Sequence, residues 1–161
     1  MNNKILITGA TGNVGYHLAK QLYEARVPLV AGVRTAASGG RLPTADFPTV
    51  RFDFGDRSSY SEAFEGVEKL FLLRPPQISD VAAYLKPVID YAAQVGVEQI
   101  VFLSLLGAER NKVVPHHKVE QWLIAGTVPY TLLRAGFFMQ NLDTTHRMDI
   151  AEYDELFIPA G

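Results

Sequence analysis

The stretch Thr8-Gly9-Ala10-Thr11-Gly12-Asn13-Val14-Gly15 constrains this chain more than any other. It joins a short apolar run, Lys4 to Thr8, to a segment of different period, Asn13 to Arg26. In that segment Val14, Leu18, Leu22 and Ala25 share one helical face, with Lys20, Gln21 and Glu24 opposite. The glycines at three-residue spacing suit, in order, a tight turn, close backbone approach to a pyrophosphate, and close helix–strand packing. Free N–H groups at the helix start, near Asn13 and Val14, would face such an anion along the favourable direction of the helix dipole. Glycines alone also mark ordinary turns. Here the strand, the glycines and the amphipathic helix occur in the order a nucleotide site requires, so Gly9, Thr11, Gly12, Asn13, Val14 and Gly15 are read as a phosphate cradle.

The rest of the chain alternates between the same two periods. Pro28–Val33, Val50–Phe54, Lys69–Leu73, Gln99–Ser104 and Tyr130–Arg134 have strand character. Ser59-x-x-Glu62 has the form of a capping box opening a helix to about Glu65, which Gly66 ends. Asp80–Val95 is predicted helical, with Val81, Leu85, Val88 and Ala92 inward, a kink or interrupted start at Pro87, and Gly96 as its C-cap. Pro115 suits the first turn of a helix ending near Gly126. Thr35 to Phe47, rich in Gly, Ala, Ser and Pro, reads as a mobile loop. Alternating strands and helices with apolar strands imply an α/β fold: a doubly wound parallel sheet of Rossmann type, covered on both faces, with ligands beyond the strands' carboxyl ends.

At 161 residues the chain is expected to form one nucleotide-binding domain, residues 1–161. It has no cysteine, which excludes disulfides and thiolate metal sites, and Asn13, His17 and His146 lack metal-ligand spacing. A net charge of -2 without a basic stripe argues against nucleic acid or an anionic membrane as partner. No signal peptide is visible and the apolar runs fall short of a membrane span, so a cytoplasmic location is expected.

The Thr-Gly-Ala-Thr-Gly-x-x-Gly motif resembles the fingerprint of extended and atypical short-chain dehydrogenases. Ile100-Val-Phe-Leu-Ser-Leu-Leu-Gly-Ala108 and Val128-Pro-Tyr-Thr-Leu-Leu-Arg-Ala-Gly-Phe-Phe-Met-Gln-Asn141 are similar to the NmrA-like branch, which includes NAD(P)H:quinone oxidoreductases. The resemblance runs from Lys4 to Gly161. It implies an NADP(H)-dependent oxidoreductase with a quinone or similar small acceptor. The alternative is a regulatory protein that senses NADP(H) without turnover. Because this branch normally continues into a final strand and a small substrate-covering domain, the chain is expected to be the N-terminal part of a longer protein. Association between copies is then an expected way to hide the exposed face.

Arg34 follows the second strand, where NAD-preferring sites of this fold carry an acidic residue, and no Asp or Glu precedes Asp46 nearby. A guanidinium there matches the 2′-phosphate of NADP, although a solvated loop arginine is the plain alternative. Asp53-Phe54 resembles the branch's adenine-contacting pair, while Asp56, Ser58 and Ser59 read as caps. Leu73-Arg74-Pro75 lies beside the expected topological switch point and should line the ribose side, mostly through backbone. Ser104, at the end of the fifth strand, is placed to face the nicotinamide, and the resemblance implies the same of an aromatic at Phe137 or Phe138.

The superfamily's Tyr-x-x-x-Lys pair is missing. Registering the helix after the fifth strand by Glu120 puts His116 at the lysine position and Lys112 at the tyrosine position; taking Lys118 as the lysine leaves Val114 for the tyrosine. Carbonyl reduction by the usual route is therefore not expected. Hydride transfer to a quinone remains open, because its protons can come from solvent. His116 is the candidate catalytic group, expected to hydrogen-bond ribose or substrate and to titrate near neutral pH, against the alternative of a surface histidine at a helix start.

Overall fold

The computed structural model describes residues 3–35, 42–44, 46–143 and 146–156. Six parallel strands form one sheet in the order β3-β2-β1-β4-β5-β6. They are β1 (Lys4–Ile7), β2 (Leu29–Val33), β3 (Thr49–Arg51), β4 (Val67–Leu73), β5 (Gln99–Leu105) and β6 (Tyr130–Ala135). The helices are α1 (Asn13–Glu24), α2 (Tyr60–Ala63), α3 (Val81–Tyr84), α4 (Lys86–Gln94), α5 (Pro115–Ala125), α6 (Gln140–Asp143) and α7 (Arg147–Tyr153). This is the doubly wound sheet that the alternation of periods implies, and its direction reverses between β1 and β4.

Strand periodicity explains the two layers of core. Leu6, Leu70, Leu72, Ile100 and Phe102 point to the face covered by α3, α4 and α5, where Val81, Leu85, Val88, Val119 and Leu123 meet them. Ile7, Ala31, Val33 and Phe71 point to the other face, against Ala19, Val14, Leu18 and Leu22 of α1. Burying both faces is what makes these strands apolar throughout rather than alternating. Ala25, placed on the inward face by periodicity, is instead the exposed C-cap of α1.

Several boundaries differ from the sequence expectation, each for a local reason. β3 ends at Arg51, although Phe52 still donates its N–H to the Val33 carbonyl at 2.9 Å. The chain then turns because the Asp53 carboxylate accepts from Gly55 N at 2.8 Å. The capping box at Ser59 does not form. A 3-10 turn, Arg57–Ser59, precedes α2 and is capped by Asp56, whose side chain accepts from Ser58 N. Ser59 is thus already helical, and its hydroxyl donates to the Asp56 carbonyl. The Asp80–Val95 helix breaks at Leu85, so that Pro87 falls in the first turn of α4, where its missing N–H costs nothing.

Of the predicted mobile loop, residues 36–41 and 45 lie outside the described residues. Leu42 and Phe47 correct the reading for the rest: both are buried against the α1-side core, and the Phe47 ring packs 4.9 Å from that of Tyr23. Among the described residues no helix is long and apolar enough to cross a membrane.

Arg26, just after α1, has a left-handed φ of 57°. Its N–H bonds the Tyr23 carbonyl and Val27 N bonds the Leu22 carbonyl, so the helix end needs that conformation. A side chain pays a steric penalty there that glycine avoids. Arg26→Gly should therefore stabilise the domain by about 0.5–1 kcal/mol after glycine's greater unfolded-state entropy is allowed for. A urea midpoint that does not rise would show that the arginine side chain offsets its own strain.

Candidate functional site

The strand order reverses between β1 and β4, the position at which ligands sit in sheets of this type, and the glycine turn leaves the carboxyl end of β1 there. Gly9 has φ +64°, and a Cβ on it would lie 2.9 Å from Leu73 Cδ2. A Cβ on Gly15 would overlap the Gly9 carbonyl oxygen and sit 2.7 Å from its carbon. The third glycine therefore lets the turn close on itself, rather than seating the helix on a strand. Gly12 differs from both. Its φ of -90° suits any residue, and a Cβ there would meet only the Gly9 carbonyl oxygen, at 3.3 Å. That contact is tight, so a side chain at position 12 would press on the Gly9 carbonyl as well as enter the space over the turn.

Gly12 is also the N-cap of α1 and supplies no side-chain acceptor to the helix's first N–H groups. Those groups, at exposed Asn13 and half-buried Val14 beside half-buried Thr11, remain for an external acceptor. Thr8, which sequence reading passed over, anchors the turn. Its buried hydroxyl donates to the Phe71 carbonyl at 3.1 Å and accepts from Leu73 N at 2.8 Å. A pyrophosphate-bearing nucleotide fits this turn.

The remaining predicted residues separate into free and committed groups. Arg34 is exposed, with no hydrogen bond or ion pair among the described residues. Asp53 is half-buried and spends one carboxylate oxygen on Gly55 N. Phe54 is corrected: its side chain is buried, 5.0 Å from Phe52, and its carbonyl accepts from the Tyr60 hydroxyl at 2.7 Å. Its ring belongs to the core. Leu73 underlies Gly9. Arg74 is half-buried, and its guanidinium donates to the Pro75, Pro76 and Ile78 carbonyls, bracing the Pro75-Pro76 loop. Phe137 is 40% exposed, and its ring lies 5.7 Å from that of His146.

Ser104 is buried and donates its hydroxyl to Glu120 Oε1. Glu120 is fully buried on α5 and also accepts two bonds from Arg134 of β6, at 3.0 and 2.8 Å. Burial opposes ionisation of this carboxyl, yet the bonds from Arg134 and Ser104 outweigh it and hold its pKa below the ordinary glutamate value. Sequence reading used Glu120 only to set a register. Its position among Val119 and Leu123, one turn after His116, was the available signal of a buried carboxylate in need of a cation.

His116 is buried in the first turn of α5, not on the surface. Its Nε2 accepts from Arg74 Nε at 3.4 Å. The expectation that it titrates near neutral pH is corrected: burial, then the adjacent Arg74 charge, lowers its pKa to about 4, with Glu120 opposing. The ring is neutral at pH 7.

A family model described as NAD(P)H-binding matches residues 9–158. The chain belongs to the NAD(P)H-binding family. It is 34% identical to quinone oxidoreductase 2 of Escherichia coli over 143 residues, covering 85% of this chain and 50% of the relative. It is 29% identical to an NAD(P)H azoreductase of Xenophilus azovorans over 160-odd residues (164 aligned), covering 98% and 56% respectively. The crystal structure of the NADPH-dependent quinone oxidoreductase of Escherichia coli, complexed with NADPH, superposes with a TM-score of 0.79 at 31% identity, over 93% of this chain and 54% of that one. The chain thus spans about half the length of the curated relatives it matches.

Replacing Glu120 by leucine would leave Ser104 without its acceptor and Arg134 with only the Glu109 carboxylate, 3.4 Å away. Breaking a fully buried pair costs roughly 3–5 kcal/mol. Because the Arg134 side chain is 33% exposed, water screens part of the loss, and on the order of 2–3 kcal/mol is expected for Glu120→Leu. The pKa of Glu120 is depressed in the fold, so its contribution is present above the unfolded value and is lost as pH falls below it. The wild-type minus variant difference in urea stability should therefore shrink on moving from neutral to acid pH; a constant difference would show that the pair does not carry it.

Proposed function

We propose that this chain binds NADP(H) at the carboxyl edge of its sheet, as the nucleotide-holding half of an oxidoreductase that reduces a quinone or similar small acceptor. The observation that carries this reading is the Gly12 turn. It leaves the first N–H groups of α1 without a side-chain cap, and the Gly9 carbonyl oxygen is all that a Cβ on Gly12 would meet. Likeness to the quinone oxidoreductase and azoreductase supports the reaction class.

Each residue's part follows from its surroundings. First-turn N–H groups of α1 hold the pyrophosphate. Arg34, just after β2 and without a partner among the described residues, takes the 2′-phosphate and sets the preference for NADP(H). The free Asp53 oxygen is the acceptor for the adenine amino group, and the backbone of Leu73, Arg74 and Pro75 lines the ribose side. Ser104 and Phe137 border the nicotinamide end, the Ser104 hydroxyl being engaged as a hydrogen-bond donor to Glu120. A bound reduced nicotinamide supplies hydride; the accompanying proton comes from water, since a neutral His116 is not an acid at pH 7. Leu133, Phe137 and Met139, in and just after β6, are exposed apolar side chains. The neutral His116 and the missing Tyr-x-x-x-Lys pair favour a second reading, a sensor of NADP(H) without turnover. Loss of NADPH absorbance on addition of a soluble quinone separates the two.

Arg34→Ala should cost NADPH on the order of 1.5–3 kcal/mol, roughly ten- to a hundredfold in Kd, and leave NADH nearly unchanged. Equal weakening of both cofactors would remove Arg34 from the 2′-phosphate site. Gly12→Val should abolish calorimetric NADPH binding while preserving the unfolding transition, because the added side chain enters the space over the turn. Normal binding by that variant would place the phosphate site elsewhere.

A further inference from the structure

The Arg74–His116 contact contains information that neither residue carries alone. An arginine Nε can only donate, so His116 Nε2 presents its lone pair to it. A neutral imidazole then bears its proton on Nδ1. That atom is buried and has no hydrogen-bond partner among the described residues, in a side chain belonging to a residue only 6% exposed. Folded proteins seldom keep a buried donor unpaired unless something else uses it.

The neighbours do not supply an acceptor. Glu120, one turn along α5, has its oxygens engaged by Ser104 and Arg134. His117 turns away and donates Nδ1–H to the Ala108 carbonyl at 2.8 Å. The Phe102 ring, 5.8 Å from that of His116, offers only an apolar wall. Arg74 is itself fixed, through the carbonyls of Pro75, Pro76 and Ile78, to the loop that leaves β4. His116 is thereby braced from the end of β4.

We propose that Arg74 is a positioning residue that locks His116 in its Nδ1–H tautomer, and that this N–H is a preorganised donor for an oxygen of the bound ligands. The oxygen is a ribose hydroxyl of the cofactor or the carbonyl oxygen of the hydride acceptor, which are the same chemistry to the donor. The ligand part rests on the function proposed above; the tautomer lock does not. His116 gives a hydrogen bond and keeps its proton, because losing it from the neutral ring would leave an imidazolate. A fixed donor of this kind stabilises negative charge as it develops on the oxygen, without reorganising at the moment of reaction.

The test is nitrogen-15 NMR of the histidine rings, using two-bond proton–nitrogen correlations at neutral pH. His116→Gln identifies the His116 signals among the four histidines. Wild type should show His116 protonated at Nδ1 and bare at Nε2. Arg74→Lys, which retains a donor, should keep that pattern, whereas Arg74→Met should shift it toward Nε2–H. An Nε2–H ring in wild type, or no change in Arg74→Met, overturns the lock. NADP⁺ alone should move the Nδ1 resonance if the oxygen is the ribose's; movement only on adding a soluble quinone to the NADP⁺ complex assigns it to the acceptor. If calorimetry shows both ligands bound and Nδ1 does not respond, the donor role is wrong. If NADP⁺ does not bind at all, the proposed function fails, and the comparison of wild type with the Arg74 variants still decides the lock.

Discussion

The hydroxyl of Thr8 ties together the two strands on which the rest of the site depends. β1 and β4 are neighbours whose onward connections run in opposite directions, to β2 and to β5. At such a switch point no crossover covers the strand ends, so a crevice opens there. Thr8 closes its floor by donating to Phe71 and accepting from Leu73, both on β4. With the strand ends fixed, Leu73 lies directly under Gly9, and the chain has room for the turn only because Gly9 has no Cβ. Gly15 then packs on the Gly9 carbonyl, and α1 starts where its free N–H groups face the crevice. One buried hydroxyl, with the Thr8 N–H that also bonds the Phe71 carbonyl, thus joins β1 to β4 beneath the turn from which α1 starts.

The other half of the sheet is held by charge. Glu120, Ser104 and Arg134 come from α5, β5 and β6, so one carboxylate joins a helix to two adjacent strands. Taking that carboxylate out of water offsets much of what the pairing gains, and its net contribution to stability is smaller than its bond count implies. Its geometric effect is larger. Hydrophobic contacts through Val119 and Leu123 would tolerate some rotation or sliding of α5. Directional bonds to a buried carboxylate do not, and they fix the turn that follows His116.

Legibility in the sequence divides along the range of the interactions. The strands, the helices and the glycine turn were visible because they depend on period and on local backbone conformation, both written in neighbouring residues. The break at Pro87 was visible for the same reason. Ser59 misled because its capping box has the right spacing, while Asp56, three residues earlier, captured the helix start first. Leu42 and Phe47 sit in a stretch whose composition is that of a loop, and only packing against α1 reveals them as core. Phe54 and Ser104 were placed at the right edge of the sheet, but composition does not show which way a side chain turns. His116 was picked out by register alone; the burial that chiefly lowers its pKa, and the charge of Arg74 42 residues away in sequence, come from the fold.

That neutrality bears on which acceptor suits the site. Hydride addition to an isolated carbonyl produces an alkoxide, a strong base that needs an acid beside it, and the tyrosine of the superfamily's usual pair provides one. Here the corresponding positions hold Lys112 or Val114, and the histidine in the lysine's place has no proton to give at neutral pH. Hydride addition to a quinone instead produces a delocalised hydroquinone anion, far less basic, which can collect its proton from water after it leaves. On the proposed function, a site with a hydrogen-bond donor and no acid would suit acceptors that spread the incoming charge themselves. On that same reading, the missing proton-donating pair and the buried His116 both fit an acceptor whose own electronic structure takes the place of a general acid.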